Sequence, residues 1–216
     1  ETTEGVHIHI IDAELMGKGE KEKKDLYIEG VQNNGIINHY EYIINSEGTI
    51  EIRHVLKPEG KMPLWFPRIG LTLTVSDALD QVKWYGRGPQ ENYPDRKTGY
   101  PTGIYASTVQ AMYEPYLMPQ DYGLRTDVRW LQLTTDKGIG LQFKMNEWFN
   151  FNIYPYSTDN LTKAMYTYQL QKQKGMTLNL DYATTGVGCT ARGVFGAYKA
   201  MPQEYRRTIS IKPMMK

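Results

Sequence analysis

A chain of 216 residues with 25 basic and 24 acidic side chains has a formal charge of +1, which excludes the basic excess that a nucleic-acid binder concentrates on one face. Hydrophobic residues make up 40%, enough for a sizeable core, yet no apolar run reaches the length of a membrane span. The one cysteine, Cys189, allows neither an intrachain disulfide nor a cysteine-rich zinc site, and 17 tyrosines against 5 phenylalanines favour half-buried strand faces and sites with one wet edge.

In chain order, Val6 to Ile10 alternates apolar and polar residues, the period of a half-buried strand. His7 and His9 fall on one face of it, but no third metal ligand is near in sequence, so they read as exposed strand histidines. The run GKGEKEKKD at 17–25 reads as a solvated loop, and Leu26 to Val31 as a short strand. Asn38 to Asn45 and Thr49 to Leu56 are strands joined at Ser46-Glu47-Gly48, a short glycine-ended hairpin loop. Trp65 to Val75 alternates clearly, and Val82 to Tyr85 follows after a turn. Gly103 to Tyr113 is predicted as a strand. Glu114 to Tyr122 must be irregular because of Pro115 and Pro119. Leu124 to Thr135 and Ile139 to Met145 form a hairpin across Asp136-Lys137-Gly138, and Phe149 to Ile153 is a further strand. A helix is predicted over Ser157 to Leu170, capped by Ser157, with Leu161, Ala164, Met165 and Tyr168 at helical spacing. Met176 to Tyr182 and Arg206 to Lys212 are the last strands, separated by the glycine-bounded loop Gly186 to Gly193. About a dozen short strands with one short helix point to an all-β, antiparallel sandwich. Residues 1–34 belong to the same domain as 35–216 in this reading.

The most chemically loaded stretch is Trp84 to Arg96, WYGRGPQENYPDR. Gly86, Gly88, Pro89 and Pro94 prevent a regular helix, so the segment is a hydrogen-bonded loop. Glu91 and Asp95 suggest the carboxylate pair of a glycosidase, whose members stand roughly 5 to 10 Å apart. Arg87 and Arg96 flank them, however, and a nearby cation lowers a carboxylate pKa, so salt bridges that brace the loop are the favoured reading. Cys189 has no histidine close in sequence to activate it. A phosphate cradle on Gly186 and Gly188 would need a helix directly afterwards, which Gly193 to Gly196 do not favour. What remains is a sugar surface, on which aromatic faces stack against C–H faces while amides, carboxylates and guanidinium groups pair with hydroxyls. Trp84, Tyr85, Arg87, Glu91 and Asn92 supply those groups, as does EPYLMPQDYGLR at 114–125.

With RIGLTLTV, WYGRGPQENYPDR, YEPYLMPQDYGLRTDVRWLQL and FNFNIYPYSTDNLTKA in order, the sequence resembles the C-terminal domain of bacterial β-galactosidases of glycoside hydrolase family 2, from about Gly35 onward. The resemblance implies a large antiparallel sandwich of the galactose-mutarotase type, here without that domain's earlier strands, and so a piece of a longer polypeptide. It implies no catalytic residue in this chain, the two catalytic glutamates lying in a separate barrel domain of the same polypeptide. Magnesium and sodium are expected mainly in other domains, a galactoside or other oligosaccharide as ligand, and a homo-oligomer as the whole enzyme. It implies that the loop Gly186 to Gly193 reaches over the active site. There the family stacks a tryptophan on the sugar, and that place falls at Gly193, so either another residue such as Arg192 or Phe195 covers the subsite or the enzyme accepts a different aglycone. A family histidine in the helix segment appears as Tyr166. A stand-alone carbohydrate-binding module, with Trp84, Tyr85, Arg87, Glu91 and Asn92 as its site, is the alternative. An epimerase of the mutarotase type shares the fold, but fold does not carry function.

Overall fold

The computed structural model describes residues 6–15, 35–189 and 193–215. The strand expected at Leu26 to Val31, the charged loop at 17–25 and Arg192 lie outside the described residues. Ten strands appear: β1 (Val6–Leu15), β2 (Gly35–Ile44), β3 (Ile50–Glu59), β4 (Arg68–Val75), β5 (Gln81–Arg87), β6 (Thr102–Thr108), β7 (Arg125–Thr134), β8 (Gly140–Tyr154), β9 (Met176–Thr184) and β10 (Tyr205–Met214). One short helix, α1 (Thr158–Lys163), joins them.

All the pairings are antiparallel. The main path runs β1-β2-β3-β10-β8-β7-β5-β6, and β9 and β4 branch from it. The branch point is β8. Its first half pairs with β10 on one side and β7 on the other; in its second half β9 takes the place of β10. The two strands predicted at Ile139 to Met145 and Phe149 to Ile153 are therefore one strand of 15 residues. The exposed Asn146-Glu147-Trp148 between them breaks the apolar alternation without ending the strand.

Alternation along β5, β7, β8 and β9 turns Val82, Trp84, Leu131, Leu133, Phe149, Phe151, Ile153, Leu178 and Leu180 inward to a single core, joined by Ile52 and Leu56 of β3 and Ile209 of β10. The result is the antiparallel β-sandwich that the sequence predicts. Burying each such side chain contributes about 1.5–3 kcal/mol. The predicted strand Gly103 to Tyr113 stops at Thr108, where the Val109 amide leaves the ladder for the Asp80 carbonyl at 3.0 Å. The helix is shorter than predicted. Ser157 does cap it, its Oγ accepting from the Asn160 amide at 3.1 Å, but Ala164 already ends it. The Gln169 side chain then captures the amides of Met165 and Tyr166 at 2.8 and 3.1 Å, which leaves Met165 and Tyr168 exposed instead of on a buried helical face.

Candidate functional site

The 84–96 segment leaves the end of β5, and strand alternation decides which of its side chains face solvent. Trp84 points inward and is 0% exposed. Its Nε1 donates to the Arg87 carbonyl at 2.9 Å, its ring packs on Tyr105 and Phe151, and the Arg125 guanidinium sits 5.4 Å from the ring centroid. Asn92 is also 0% exposed. Its Oδ1 accepts from the Thr126 amide at 3.0 Å and from the Thr126 hydroxyl at 2.5 Å, and its Nδ2 donates to the Gln90 carbonyl at 3.1 Å. Trp84 and Asn92 thus present nothing to a ligand, against the sequence expectation. An indole at the end of a strand is placed by alternation, and the composition of the loop after it does not reveal that.

Glu91 is clamped. Its Oε2 accepts from the Tyr93 hydroxyl at 3.0 Å and the Gly123 amide at 2.8 Å, and its Oε1 accepts a short bond from the Tyr116 hydroxyl. Burial pushes the Tyr116 phenol up to about 12, and its bond to Glu91 adds to this; Tyr93 is raised for the same two reasons. Arg125, which the sequence placed on a sugar surface at 114–125, instead lies buried behind this clamp. Desolvation lowers its pKa to about 10 against the pull of Glu114 and Glu91. Burial and the charge of Glu91 raise the pKa of Glu114, with Arg125 opposing.

The arginines do not pair with Glu91 or Asp95 as expected. Arg87 Nε meets Asp127 at 2.5 Å, and Lys97 Nζ meets the other oxygen of that carboxylate at 2.5 Å. Burial works against the Asp127 charge, but Lys97 and Arg87 outweigh it and hold the pKa below the usual carboxylate range. Asp127 has a φ of 54°, a conformation that L side chains seldom adopt.

Asp95 and Arg96 reach the other way. Asp95 Oδ1 accepts from the Val187 amide at 3.1 Å and Oδ2 from the Gly188 amide at 2.7 Å, while Arg96 donates to the Gly188 carbonyl at 2.8 Å. The glycines do build an anion-binding nest, but its anion is this chain's own Asp95. Gly186 is required because a Cβ there would stand 2.4 Å from Asp95 Cγ. A Cβ at Gly193 would meet nothing within 4 Å, and Phe195 is 65% exposed at the start of a 3-10 turn, Gly196–Tyr198. Tyr85 and Arg87 stand elsewhere, on β5, so the predicted site residues fall into separate groups. Cys189 is exposed.

Of the predicted sugar-surface stretches only 114–125 lines the depression of about 290 Å³ beside α1, with Met118, Pro119, Gln120 and Asp121 on one side and Leu161 and Thr162 on the other. Beneath it, Asp121 Oδ1 accepts from Arg68, Asn152 and Tyr154 at 3.3, 2.8 and 3.1 Å. Arg68 also pairs with the buried Asp181 at 2.7 Å. Burial pushes the Asp181 carboxyl up to about 6 despite Arg68. The signal for this network was present in FNFNIY, where asparagines alternate with core residues. Among the described residues no group of three or more His, Cys, Asp or Glu is placed to hold a metal ion.

The family model described as "Beta galactosidase small chain" matches residues 5–211. The match therefore starts well before Gly35, where the sequence resemblance alone was expected to begin. A beta-galactosidase of Priestia megaterium is 38% identical over 147 residues, covering 68% of this chain and 14% of that protein. One of Vibrio cholerae is 39% identical over 122 residues, 56% of this chain and 11% of that protein. A solved structure of a GalM/aldose epimerase homologue from C. elegans is 12% identical with a TM-score of 0.45, covering 98% of this chain and 66% of that one.

Proposed function

The chain belongs to the beta-galactosidase small-chain family, and from that premise we propose that it is one domain of a larger family 2 glycoside hydrolase, forming part of the active-site rim and supplying no catalytic acid. Hydrolysis of terminal β-galactosides with retention needs two carboxyl groups about 5 Å apart across the scissile bond. In this reading both belong to a barrel domain elsewhere in the polypeptide, as do the magnesium and sodium sites, and the whole enzyme is a homo-oligomer.

The observation that supports this reading best is the grip of Asp95 and Arg96 on Val187 and Gly188. It fixes the start of a loop whose far end carries Gly193 and the exposed Phe195. An exposed aromatic just past this anchored segment suits the edge of a sugar subsite, with Phe195 stacking on the ring. The stand-alone sugar-binding module loses Trp84 and Asn92 from its site, since both are enclosed in the domain.

The test is Phe195→Ala in the whole polypeptide. We expect KM for a nitrophenyl galactoside to rise about threefold to tenfold with kcat little changed, the pattern of lost uniform binding. The isolated chain should show no turnover of that substrate. Hydrolysis by the isolated chain, or an unchanged KM in the variant, would refute the corresponding half of the reading.

A further inference from the structure

The outer face of the β6-β5-β7-β8 leaf has a composition that the rim does not explain. The register sets Ile104, Tyr85, Trp130 and Lys144 side by side across the four strands. The ladder shifts between Val128 and Trp130, and the intervening Arg129 lies among these rings. Its guanidinium carbon is 4.0 Å from the Trp148 centroid and 5.1 Å from the Tyr85 centroid. Ile104 is 61% and Trp148 60% exposed. In the next row Lys83 stands beside Gln132 and Gln142. No ion pair holds Lys83, Arg129 or Lys144 among the described residues.

Tryptophan, tyrosine and arginine gathered around an apolar centre are the residues that dominate protein interfaces. A sugar platform is less suited to this geometry, because Arg129 already occupies one face of both Tyr85 and Trp148. The three cations set the chemistry of the occupant, which must bring carboxylates to the border and apolar side chains to the middle. β6 is the last strand of its path, so among the described residues its outer edge is also unpaired.

We propose that this face is a docking surface for another part of the same polypeptide, one that presents an acid-bordered apolar patch to Tyr85, Ile104, Trp130 and Trp148. The proposal rests on the reading of the chain as one domain of a longer protein, of which the matched stretch in its relatives is 14% or less.

Hydroxyl-radical footprinting of the native, full-length protein tests it. Tyr168, 80% exposed, serves as the internal reference. Trp148 and Tyr85 should oxidise at least about tenfold more slowly than Tyr168 in the native protein, and comparably to it in denaturant. Equal oxidation rates in a polypeptide several times longer than this chain would overturn the docking face and leave the domain reading standing. A native polypeptide no longer than this chain would overturn the domain reading itself. Protection that vanishes on dilution would point to a second copy as occupant. Protection that appears only with added galactose or lactose would point to a sugar. Either result also overturns the proposal. As a second measurement, Trp148→Glu should expose Tyr85 to oxidation in the full-length protein, because the new carboxylate meets the acidic border of the partner; continued protection counts against the proposal.

Discussion

Asn92 and Asp95 stand three positions apart in one loop, yet they face opposite tasks. Asn92, with Glu91, turns inward and satisfies backbone and hydroxyl donors of the 116–126 segment. Asp95, with Arg96, turns outward and holds the backbone of 187–188. Both halves use an acceptor to tie down N–H groups, so the chemistry is the same. What differs is the water around it. A buried donor left without its acceptor costs the full desolvation of that donor, whereas one at the surface can turn to solvent. The inner half should therefore control whether the domain folds, and the outer half where the rim lies.

Stability measurements on the inner half must first be separated from the largest expected effect, which belongs to neither half. His54 is 1% exposed, with Nε2 3.0 Å from Asn38 Oδ1, Nδ1 2.7 Å from the Tyr182 hydroxyl and the Tyr40 ring stacked on it. Burial lowers its pKa from 6.5 to about 4. Between those values the unfolded chain binds the proton and the folded one does not, so stability rises with pH through that window and is lost as pH falls. The full effect is about 3 kcal/mol between pH 7 and pH 4. His54→Gln should flatten that part of the stability curve in urea titrations at stepped pH; an unchanged slope would reject this assignment.

At fixed neutral pH, Asn92→Ala is the sharpest probe of the inner half. It strands the Thr126 amide and hydroxyl in a dry site and should cost about 2–3 kcal/mol by chemical denaturation. Glu91→Gln is milder, because the Tyr116 oxygen can accept from the new amide, and should cost about 1–2 kcal/mol with KM unaffected in the whole enzyme. If Glu91→Gln raised KM at an unchanged melting temperature, the division between the halves would fail.

Much of the fold was legible because it rests on period-2 alternation, as in RIGLTLTV, and on turns with glycine at positive φ, such as Gly48 and Gly138. The site was less legible. Trp84 and Tyr85 are adjacent aromatics with opposite fates, and only the register of β5 against β7 separates them. The partners of Asp95 lie more than 90 positions away, and no local pattern announces a bond to backbone amides. The Arg68–Asp121–Asn152 network is likewise assembled from three distant segments. Arg87 next to Glu91 looked like an ion pair, but strand β7 brings Asp127 closer in space.

The outer half should show the smaller effects, and in binding more than in stability. Asp95→Asn places an N–H where an amide N–H must be received. KM for a nitrophenyl galactoside should rise about fivefold while stability changes by less than about 1 kcal/mol. The effect expected at Gly193 is a gain. Its φ carries no left-handed requirement and a Cβ there meets nothing within 4 Å, so Gly193→Trp needs no rearrangement of the domain. An indole at that point adds an aromatic face to a rim otherwise served by Phe195, and ring stacking of that kind contributes about 0.5–1.5 kcal/mol. KM for an aromatic galactoside should then fall about twofold to tenfold at constant kcat, and the gain should disappear when Asp95→Asn is combined with it, because the loop that presents the ring is no longer held. Additive effects of the two substitutions would mean that the glycine nest does not position the loop tip, and the contrast between the two halves would then rest on stability alone.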